Sequence, residues 1–437
     1  MQNITRNCDD AGRFLVPSML MVKDSAMTMN MIRTFHPVGQ GAFYSEEFFN
    51  SEQNCVFRIV YDCGSLKYCG LQRNSDGTPL KRKDIKERVK QAFPDRHGVD
   101  ILFVSHLDDD HVNLIPCLKS HQIRRVILPL LSAEERYVLT GYHLSRSRKG
   151  WISDALNSII NSPEEYFGKD TKVTFVRPAK VERSLMGNEV DDEGVGIDDL
   201  QREVPSLTKI LIGNNLPDNG RMLRWLLIPY NHKPQRYYNL KGELKNAFGA
   251  GFQIANLKDP DFVIKNLKDL RRCYKALPDG INRNSMALYS GPLDDTCLSS
   301  IGEVVGCDIW GRYCPCDQFA EYWLDRVLRH EQSSVFHGSP GCLYTGDVSL
   351  DDADLTRVFG RYVKNIAMVQ LPHHGSFDSF GTGDLPINGR VCVATYGEKN
   401  RFGHPAFAVK RAVAEKGGLW VDVTETDESC FRVKCTI

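Results

Sequence analysis

The sequence predicts an α/β protein in which two mixed β-sheets pack against each other and helices cover their outer faces. Strand-like segments recur in both halves of the chain, and helix-like segments separate them. Polar residues directly follow several of the apolar strands, a distribution that suits a two-sheet sandwich with helices outside. With 437 residues and 42% hydrophobic content, the chain can also bury the large core that two such sheets require.

The first half begins with residues that alternate between apolar and polar types, as expected for strands. The turns Gly39-Gln40-Gly41 and Asp62-Cys63-Gly64 end the first two strands. A charged segment with Ile85 and Val89 on one face then predicts a helix, and the apolar strand after it leads to His106. The predicted elements are strands at 31–38, 54–61, 101–104 and 125–131, and helices at 81–90 and 112–120.

The middle of the chain is less regular and is predicted to hold insertions. Residues 133–279 combine helical stretches with short strands, and residues 292–340 form a second such segment. The expected organisation is one domain over 30–437 that carries both insertions, with an N-terminal extension at 1–29. Within the insertions the predicted helices are 152–160, 262–277 and 317–329, and the predicted strands are 173–176 and 222–228.

The last part of the chain returns to a regular pattern of strands. Strands are predicted at 286–290, 342–345, 367–371 and 391–396, followed by a helix at 405–415. The final two strands, 419–424 and 430–436, have the spacing of a hairpin. The second half thus supplies enough strands for a sheet of its own.

Composition argues against several classes of protein. Lys plus Arg and Asp plus Glu both number 55, so no overall charge would draw the chain to nucleic acid or an anionic membrane, and any polyanion site must be local. No apolar run approaches the roughly 20 residues of a membrane span, and no export signal is recognised. The 14 cysteines are scattered, so reduced thiols and a cytoplasmic location are expected. A small zinc knot of Cys297, Cys307, Cys314 and Cys316 is the less favoured alternative.

The segment His106-Leu107-Asp108-Asp109-Asp110-His111 carries two imidazoles and three carboxylates within six residues. It follows an apolar strand and precedes an apolar helix, so a tight loop would aim these groups into one pocket. Groups that cost so much to desolvate belong either at the surface or around a cation. The apolar flanks disfavour a solvated acidic loop, and the segment therefore predicts a metal centre.

The same segment resembles the His-x-His/Asp-x-Asp-His signature of the metallo-β-lactamase superfamily. With Asp in the second position and Ser105 before the motif, it resembles in particular the soluble metallo-β-lactamase domain of ComEC-type DNA-uptake proteins. Six other segments resemble motifs of that subfamily in the same order along the chain. They are Val38-Gly39-Gln40-Gly41, Asp62-Cys63-Gly64, Asn284-Ser285, Tyr344-Thr345-Gly346-Asp347, Leu371-Pro372-His373-His374-Gly375-Ser376 and Asn400-Arg401-Phe402-Gly403-His404-Pro405. The resemblance implies an αββα sandwich with a metal-dependent hydrolase site.

The resemblance also implies a role for each matching side chain. Asp347 would bridge two metal ions, and Asp62 would fix the tautomer of a ligand histidine. Either His373 or His374 would complete the second metal site, here assigned to His374, and His373 would face the substrate. His404 would donate a hydrogen bond to a substrate phosphate, and Asp110 would also orient the attacking water. The alternative for His404 is a cap at the start of the following helix, and the alternative for Asp62 is an ordinary turn residue at the end of a strand. The implied metal ligands are His106, Asp108, Asp110, His111, Asp347 and His374.

The chain departs from the usual superfamily pattern at two points. No motif identifies the further histidine ligand that normally lies before the Asp347 motif. Asp108 stands where the superfamily usually has histidine, which makes the site richer in oxygen. One or two divalent ions are therefore expected, zinc or manganese, with magnesium also admissible. The candidates for the missing ligand are His121, His143, His232, His330 and His337, and His232 is preferred.

Two enzyme functions and one non-catalytic function fit these residues. The first is hydrolysis of a phosphodiester in DNA, RNA or a nucleotide by a metal-activated water. For a polymer, local basic density is limited to Lys81-Arg82-Lys83, Arg124-Arg125 and residues 146–149. The second is zinc-dependent hydrolysis of an ester, lactone or thioester. The third is an inactive scaffold that binds a protein partner through its insertions, and the oligomeric state is left open.

Overall fold

The computed structural model describes residues 29–66, 81–146, 152–179, 194–212, 224–232, 237–249, 251–275, 285–293, 301–304, 334–381 and 384–437. Several predictions made from the sequence fall elsewhere in the chain. The N-terminal extension up to residue 28, Asn284, the predicted helix at 317–329 and the four cysteines of the alternative zinc knot lie outside the described residues.

The described strands divide between two sheets. In chain order they are β1 (Asn30–Phe35), β2 (Phe43–Phe49), β3 (Cys55–Cys63), β4 (Val99–Phe103), β5 (Ile123–Pro129), β6 (Lys172–Arg177), β7 (Val195–Gly196), β8 (Glu203–Pro205), β9 (Ile210–Leu211), β10 (Trp225–Asn231), β11 (Met286–Pro292), β12 (Ile301–Val304), β13 (Ser334–His337), β14 (Gly341–Tyr344), β15 (Ile366–Gln370), β16 (Val391–Thr395), β17 (Leu419–Val423) and β18 (Phe431–Thr436).

The first sheet has, among the described strands, the order β13-β12-β18-β1-β2-β3-β4-β5-β6-β8. Its antiparallel part runs from β13 to β3, and its parallel part runs from β3 to β8. The second sheet has the order β17-β16-β15-β14-β11-β10-β9-β7. Here β14 to β17 are parallel, and β14, β11, β10 and β9 are antiparallel. Both sheets are therefore mixed, as the sequence predicted.

The α-helices lie between the strands along the chain. They are α1 (Arg82–Lys90), α2 (Asp109–Val112), α3 (Ile115–Leu118), α4 (Ala133–Arg146), α5 (Asp154–Asn161), α6 (Pro163–Phe167), α7 (Tyr237–Phe248), α8 (Pro260–Lys265), α9 (Leu267–Lys275), α10 (Leu355–Phe359), α11 (Phe377–Phe380) and α12 (Phe407–Glu415). Short 3₁₀ segments occur at Lys119–His121, Ile197–Asp199, Ile254–Lys258, Gly360–Asn365, Pro372–Gly375 and Asp427–Ser429. None of the helices in the described ranges is long and apolar enough to cross a membrane.

The core consists of apolar layers between and outside the sheets. Rings from the two sheets meet in the central layer, where the Phe48 and Trp225 centroids are 5.3 Å apart and those of Tyr61 and Tyr344 are 4.9 Å apart. Helices α1, α2, α3 and α5 pack on the outer face of the first sheet, and α10 and α12 pack on that of the second. This order of layers confirms the predicted sandwich with helices outside.

A buried ion pair links the sheets within the central layer. Arg33 on β1 contacts Glu46 on β2 at 2.8 Å, and both side chains are almost fully inaccessible. Glu46 also accepts hydrogen bonds from Ser290 Oγ at 2.6 Å and Tyr344 Oη at 2.9 Å, both on the second sheet. A buried charge is tolerated only when it is paired and hydrogen-bonded, and Glu46 meets both conditions.

Strand β2 and the pairing of the last two strands differ from the sequence prediction. Strand β2 was not predicted, because Glu46 and Glu47 break its apolar pattern, yet Glu46 is buried against Arg33. The predicted hairpin of 419–424 and 430–436 is wrong, because β17 pairs with β16 in the second sheet while β18 pairs with β1 in the first. A strand buried on one face shows the same alternation in either arrangement, so the pattern did not distinguish them.

The segment 133–279, predicted as an insertion, contributes to both sheets as well as to a separate helical layer. Strands β6 and β8 extend the first sheet, and β7, β9 and β10 extend the second. Helices α4, α7, α8 and α9 pack around their own apolar cluster, which includes Val138, Leu244 and Leu270. The helical layer places the C-terminal end of α4 beside the loop that follows β4.

Candidate metal centre

Most of the candidate ligands predicted from the sequence lie where parallel strands of the two sheets end. In the first sheet β3 and β4 are parallel neighbours, and His106 and Asp110 follow β4. In the second sheet β14 and β15 are parallel neighbours, and Asp347 and His374 follow these strands. The carboxyl ends of parallel strands share one edge of a sheet, so the fold brings side chains from distant parts of the chain together.

Asp62 holds the position of His111. It lies at the end of β3 with φ of +57°, and its side chain is fully buried. Its carboxylate accepts hydrogen bonds from the amide and hydroxyl of Ser105, each at 2.7 Å, and from His111 Nδ1 at 2.8 Å. With Nδ1 engaged as a donor, Nε2 of His111 is left as the nitrogen that can bind a cation.

Asp347 lies between imidazoles from different loops. Its Oδ1 is 3.3 Å from His111 Nε2, and its Oδ2 is 3.5 Å from His106 Nε2. His373 Nε2 also lies 3.5 Å from Oδ2. The amide of Asp347 donates to Ser285 Oγ at 3.0 Å, which fixes the loop. One carboxylate therefore presents each of its oxygens to a different set of nitrogen atoms.

His374 and Asp110 form the other side of the centre. His374 Nδ1 donates to the carbonyl of Thr395 at 2.7 Å, and its Nε2 lies 3.3 Å from Asp110 Oδ2. Both His373 and His374 have left-handed backbone conformations, with φ of +48° and +59°. Such conformations are uncommon for residues other than glycine and concentrate at functional sites.

The donor atoms fit a divalent cation. Two groups each place one ligand atom per residue within 4.8 Å of the others: His106, His111 and Asp347, and Asp110, His111 and His374. All five residues are buried. Nε2 of His106, Nε2 of His111 and Oδ2 of Asp347 have no hydrogen-bond partner within the described part of the chain. Buried polar atoms are rarely left without a partner, and a bound cation would satisfy all three.

The electrostatics of these residues also suit a cation. Burial acts to raise the pKa of Asp347, but the charges of His373 and His111 outweigh it and hold that pKa well below the usual range. Burial likewise opposes ionisation of Asp110, but His374 and His111 keep its pKa low. Burial disfavours charge on His111, yet the carboxylates of Asp347 and Asp62 raise its pKa well above the usual value. Both aspartates are therefore anionic at neutral pH.

Glycines at the strand ends bring the loops into close contact. A side chain at Gly64 would collide with the backbone of Asp110 and His111, and one at Gly41 would collide with the backbone of Gly64. The amide of Ala42 donates to the carbonyl of Asp110 at 3.0 Å in the same region. The two glycine-containing turns noted in the sequence thus hold the backbone of the ligand loop, because only glycine leaves enough room there.

Asp108 belongs to neither of the two ligand groups found among the described residues. Its carboxylate accepts the amide of Asp109 at 2.7 Å as the N-cap of α2, and it lies 3.7 Å from His143 Nδ1 and 3.6 Å from Arg146. His143 and Arg146 belong to α4. His143 is one of the candidates for the missing ligand, whereas Arg146 was not predicted as a neighbour of this loop. Arg146 also contacts the hydroxyl of Tyr142 at 2.7 Å. The metal-ligand role implied for Asp108 remains a prediction.

The candidates for the missing histidine ligand do not join the centre within the described residues. Nε2 of His121 donates to the carbonyl of Lys90 at 3.0 Å, and Nε2 of His143 donates to that of Leu107 at 2.9 Å. His232 is buried, and its ring lies 3.4 Å from the Tyr230 hydroxyl, but it belongs to neither ligand group. His330 and the side chain of His337 lie outside the described residues.

His404 lies beside the two adjacent histidines that follow β15. Its ring centroid is 5.2 Å from that of His373 and 6.5 Å from that of His374. Burial, followed by the charges of His373 and His374, lowers the pKa of His404 to about 4. Asn400 holds this loop, because its Oδ1 accepts the amide of His404 at 3.1 Å. His404 is therefore a neutral imidazole at pH 7, with one N–H to donate.

Gln370 was missed by the sequence analysis. Its Oε1 accepts the amides of Thr345 and Gly346, each at 2.8 Å, and so connects the ends of β14 and β15. Gly346 has φ of +55°, and a side chain there would collide with Ser285 and Ser105. The signal in the sequence was the position of Gln370, at the end of an apolar strand and directly before the segment with two histidines.

Comparison with known proteins gives a weak structural likeness. No family model matches the chain, and no curated protein matches it. The chain is similar to the crystal structure of unliganded yeast PDE1, with 9% sequence identity and a TM-score of 0.35. The alignment covers 94% of this chain and 100% of the other. A TM-score this low transfers neither residue roles nor a function.

Proposed function

We propose that this chain is a metal-dependent hydrolase of the metallo-β-lactamase superfamily that cleaves phosphodiester bonds in DNA, RNA or a nucleotide. The observation that carries the proposal is Asp347, whose two buried oxygens face different imidazoles. Such an arrangement is hard to explain in a protein without a cation, since three of the atoms involved have no hydrogen-bond partner among the described residues. We also propose that, within this superfamily, the chain is most similar to the soluble domain of ComEC-type proteins.

The ligand set that we propose follows the two oxygens of Asp347. Asp110, His111 and His374 would hold one divalent ion on the Oδ1 side. His106 would hold the other on the Oδ2 side, together with His373, which lies at the same 3.5 Å from that oxygen. His373, which the resemblance gave as the alternative to His374, would then be a metal ligand in place of its assigned role at the substrate.

When bound, the two ions would act as Lewis acids that lower the pKa of a water molecule and polarise the scissile phosphate. The ionised Asp110 would orient that water towards phosphorus, because its carboxylate can accept a hydrogen bond from it. Asp62 would keep His111 in the ligating tautomer. His404 would donate its N–H to a non-bridging phosphate oxygen, which stabilises the charge that develops there.

Cleavage of labelled phosphodiesters tests the proposal. Purified protein would be incubated with single-stranded DNA, double-stranded DNA, RNA and a dinucleotide in the presence of Mn²⁺, Zn²⁺ or Mg²⁺. The proposal expects hydrolysis of at least one substrate, lost with EDTA and in Asp347→Asn. Absence of hydrolysis with every metal, from protein shown to contain bound metal, would contradict it.

Zinc-dependent hydrolysis of an ester, lactone or thioester is a second candidate, and one observation favours it. Asp108 lies outside both ligand groups, so the described centre is richer in histidine than the sequence implied. Imidazole donors favour zinc over manganese and magnesium. This function would be supported if the protein retains zinc through dialysis and hydrolyses acyl substrates but not phosphodiesters.

A further inference from the structure

The helical layer brings an arginine to the edge of the candidate metal centre. Arg146 is the last residue of α4, and its Nη1 lies 3.6 Å from Oδ2 of Asp108 in the loop after β4. The side chain of Arg146 is 49% exposed, so a ligand from solution can reach it. Arg146 also begins the basic segment 146–149 noted in the sequence. A half-exposed cation thus adjoins a loop that carries metal-ligand candidates.

Contacts on two sides hold the end of α4 in place. Nε2 of His143 donates to the carbonyl of Leu107 at 2.9 Å, which connects the helix to the loop after β4. Nε of Arg271, on α9, donates to the carbonyl of Ser145 at 2.7 Å. The backbone that carries Arg146 is therefore fixed relative to the centre. A fixed backbone reduces the conformational entropy that the protein loses when a ligand binds.

One edge of the Arg146 guanidinium has no partner among the described residues. Nη1 donates to the hydroxyl of Tyr142 at 2.7 Å, and its 3.6 Å contact with Asp108 is too long for a hydrogen bond. Nε and Nη2 make no hydrogen bond within the described ranges. The N–H groups of Nε and Nη2 point the same way and form a planar fork that matches two oxygens of an oxyanion. This edge can therefore bind a phosphate with two hydrogen bonds.

The guanidinium also lies within electrostatic range of the metal centre itself. Burial acts to lower the pKa of Arg146, but interactions that include the charges of Asp108 and Asp110 outweigh it and raise that pKa above its ordinary value. Asp110 belongs to one of the two ligand groups. The charge of Asp110 also acts on His404, the predicted donor to a substrate phosphate. Arg146 and His404 thus approach the same ligand residue from different parts of the fold.

The many carboxylates of the centre make an additional cation necessary for binding an anion. The aspartates in the centre or in the loops that form it are Asp62, Asp108, Asp109, Asp110 and Asp347. Two divalent ions would offset the charges of four aspartates, because imidazole ligands are neutral when they bind a metal. A phosphate would still meet one negative charge, and Arg146 is positioned to offset it. A neutral ester or lactone would require no such cation.

We propose that Arg146 is a substrate-binding residue whose Nε and Nη2 donate to two non-bridging oxygens of a substrate phosphate at the metal centre. This inference rests on the proposed phosphodiesterase function and narrows it. Segment 133–279 would supply not only strands and a helical layer but also a residue that selects anionic phosphates over neutral acyl groups. The guanidinium would also stabilise the negative charge on the phosphate oxygens during hydrolysis.

Calorimetric titration with inorganic phosphate tests the inference without any turnover. Wild-type protein, Arg146→Gln and Arg146→Lys would be loaded with Mn²⁺ or Zn²⁺, and their metal content measured. We expect Arg146→Gln to weaken phosphate binding about 10- to 100-fold, the usual effect of losing hydrogen bonds to a charged group. Arg146→Lys keeps the charge but not the fork, so its affinity should be intermediate. Acetohydroxamate, which binds metal ions but carries no phosphate, should bind all three proteins equally.

Arg136→Gln is the matched control, because it removes the same charge from the same helix. Arg136 lies near the other end of α4, roughly 15 Å from Arg146 along the helix axis, and its charge acts on Glu164. Phosphate affinity should be unchanged in this variant. Wild-type phosphate affinity in Arg146→Gln with full metal content would overturn the inference. So would metal loss in Arg146→Gln, which would give Arg146 a supporting role only, or wild-type protein that binds acetate as tightly as phosphate.

The failure of this inference can be distinguished from failure of the proposed function. Phosphodiester hydrolysis that Asp347→Asn abolishes, with kcat/KM and phosphate affinity unchanged in Arg146→Gln, would leave the proposed function standing and overturn the role of Arg146. Phosphate binding that depends on Arg146, with no hydrolysis of any phosphodiester, would support the binding role and contradict the proposed hydrolysis.

Discussion

The carboxylate of Asp62 accepts a hydrogen bond from Nδ1 of His111 at 2.8 Å, and this contact determines which nitrogen of the ring faces the metal centre. A carboxylate acceptor requires the proton on Nδ1, so Nε2 is the nitrogen that faces Asp347 Oδ1 at 3.3 Å and that a cation would bind in place of a proton. Asp62 is itself fixed by Ser105, which precedes the histidine motif. Asp62, at the end of β3, thus sets the tautomer of His111, which lies after the neighbouring strand β4.

Asp62→Asn is the sharpest test of this contact. The variant keeps the size of the side chain but can turn an amide N–H towards His111, which would favour the tautomer with its proton on Nε2. We expect metal affinity to fall about 10- to 100-fold, as for other residues that orient a metal ligand. Competition with a fluorescent chelator measures this affinity, and unaltered affinity would show that the contact does not control the tautomer.

Asp110→Asn should abolish turnover without unfolding the protein. The carboxylate lies in a ligand group and would lose its negative charge, so activity should fall more than about 100-fold, beyond the loss typical of residues that only orient a ligand. Asp109→Asn is the matched control, because Asp109 belongs to the same loop but to neither ligand group. Steady-state rates and far-UV circular dichroism would be compared. Similar rates in the two variants would show that Asp110 is not a residue of the metal centre.

Gly64→Ala should disturb the centre through packing alone. The added methyl group would collide with the backbone of Asp110 and His111, so the ligand loop must shift. We expect a loss of about 1–3 kcal/mol of stability and reduced metal content. Gly242→Ala is the control, since nothing lies near that position on α7 and alanine favours the helix. Calorimetry and metal analysis measure both effects, and a Gly64→Ala protein with wild-type stability would contradict the prediction.

His36 should make stability depend on pH. It is buried, its Nε2 is 2.8 Å from Ser45 Oγ, and burial, followed by the charge of Arg432, lowers its pKa to about 3. Below the ordinary pKa of about 6.5 the unfolded chain binds a proton here and the folded chain does not, so stability falls as pH drops towards 3.

His36→Gln should remove this contribution. We expect the free energy of unfolding of the variant to fall less between pH 7 and pH 5 than that of the wild-type protein. The difference should reach at most about 1.4 kcal/mol for each pH unit below 6.5. Urea unfolding at the two pH values measures the difference. The same change of stability with pH in wild-type and variant proteins would rule out His36 as its source.

The sequence predicted the layers of the fold because its apolar segments are strongly periodic. Most predicted strands match observed ones within a few residues, as for 101–104 and β4 (Val99–Phe103). The pairing of β17 and β18 could not be predicted, since alternation shows that one face is buried and does not show which sheet covers it. Strand β2 was hidden by Glu46, whose partner Arg33 lies in another strand.

The candidate site was partly predictable for a similar reason. Motifs next to strands identified the residues of both ligand groups, because short loops between a strand and a helix are local features of the sequence. The distances that join Asp347 to both His106 and His373 depend on how the two sheets pack, and no motif encodes them. Helix α4 was not predicted either, and so the approach of Arg146 to Asp108 was not foreseen.

Anomalous diffraction from crystals soaked in Mn²⁺ or Zn²⁺ would show whether Asp347 lies between two metal ions. We predict two anomalous peaks on opposite sides of Asp347, one bound by Asp110, His111 and His374, and the other bound by His106 and His373. A single peak among the first three residues would reduce the centre to one ion. The absence of any peak at saturating metal, with the imidazoles and carboxylates hydrogen-bonded to one another, would contradict a metal centre at this position.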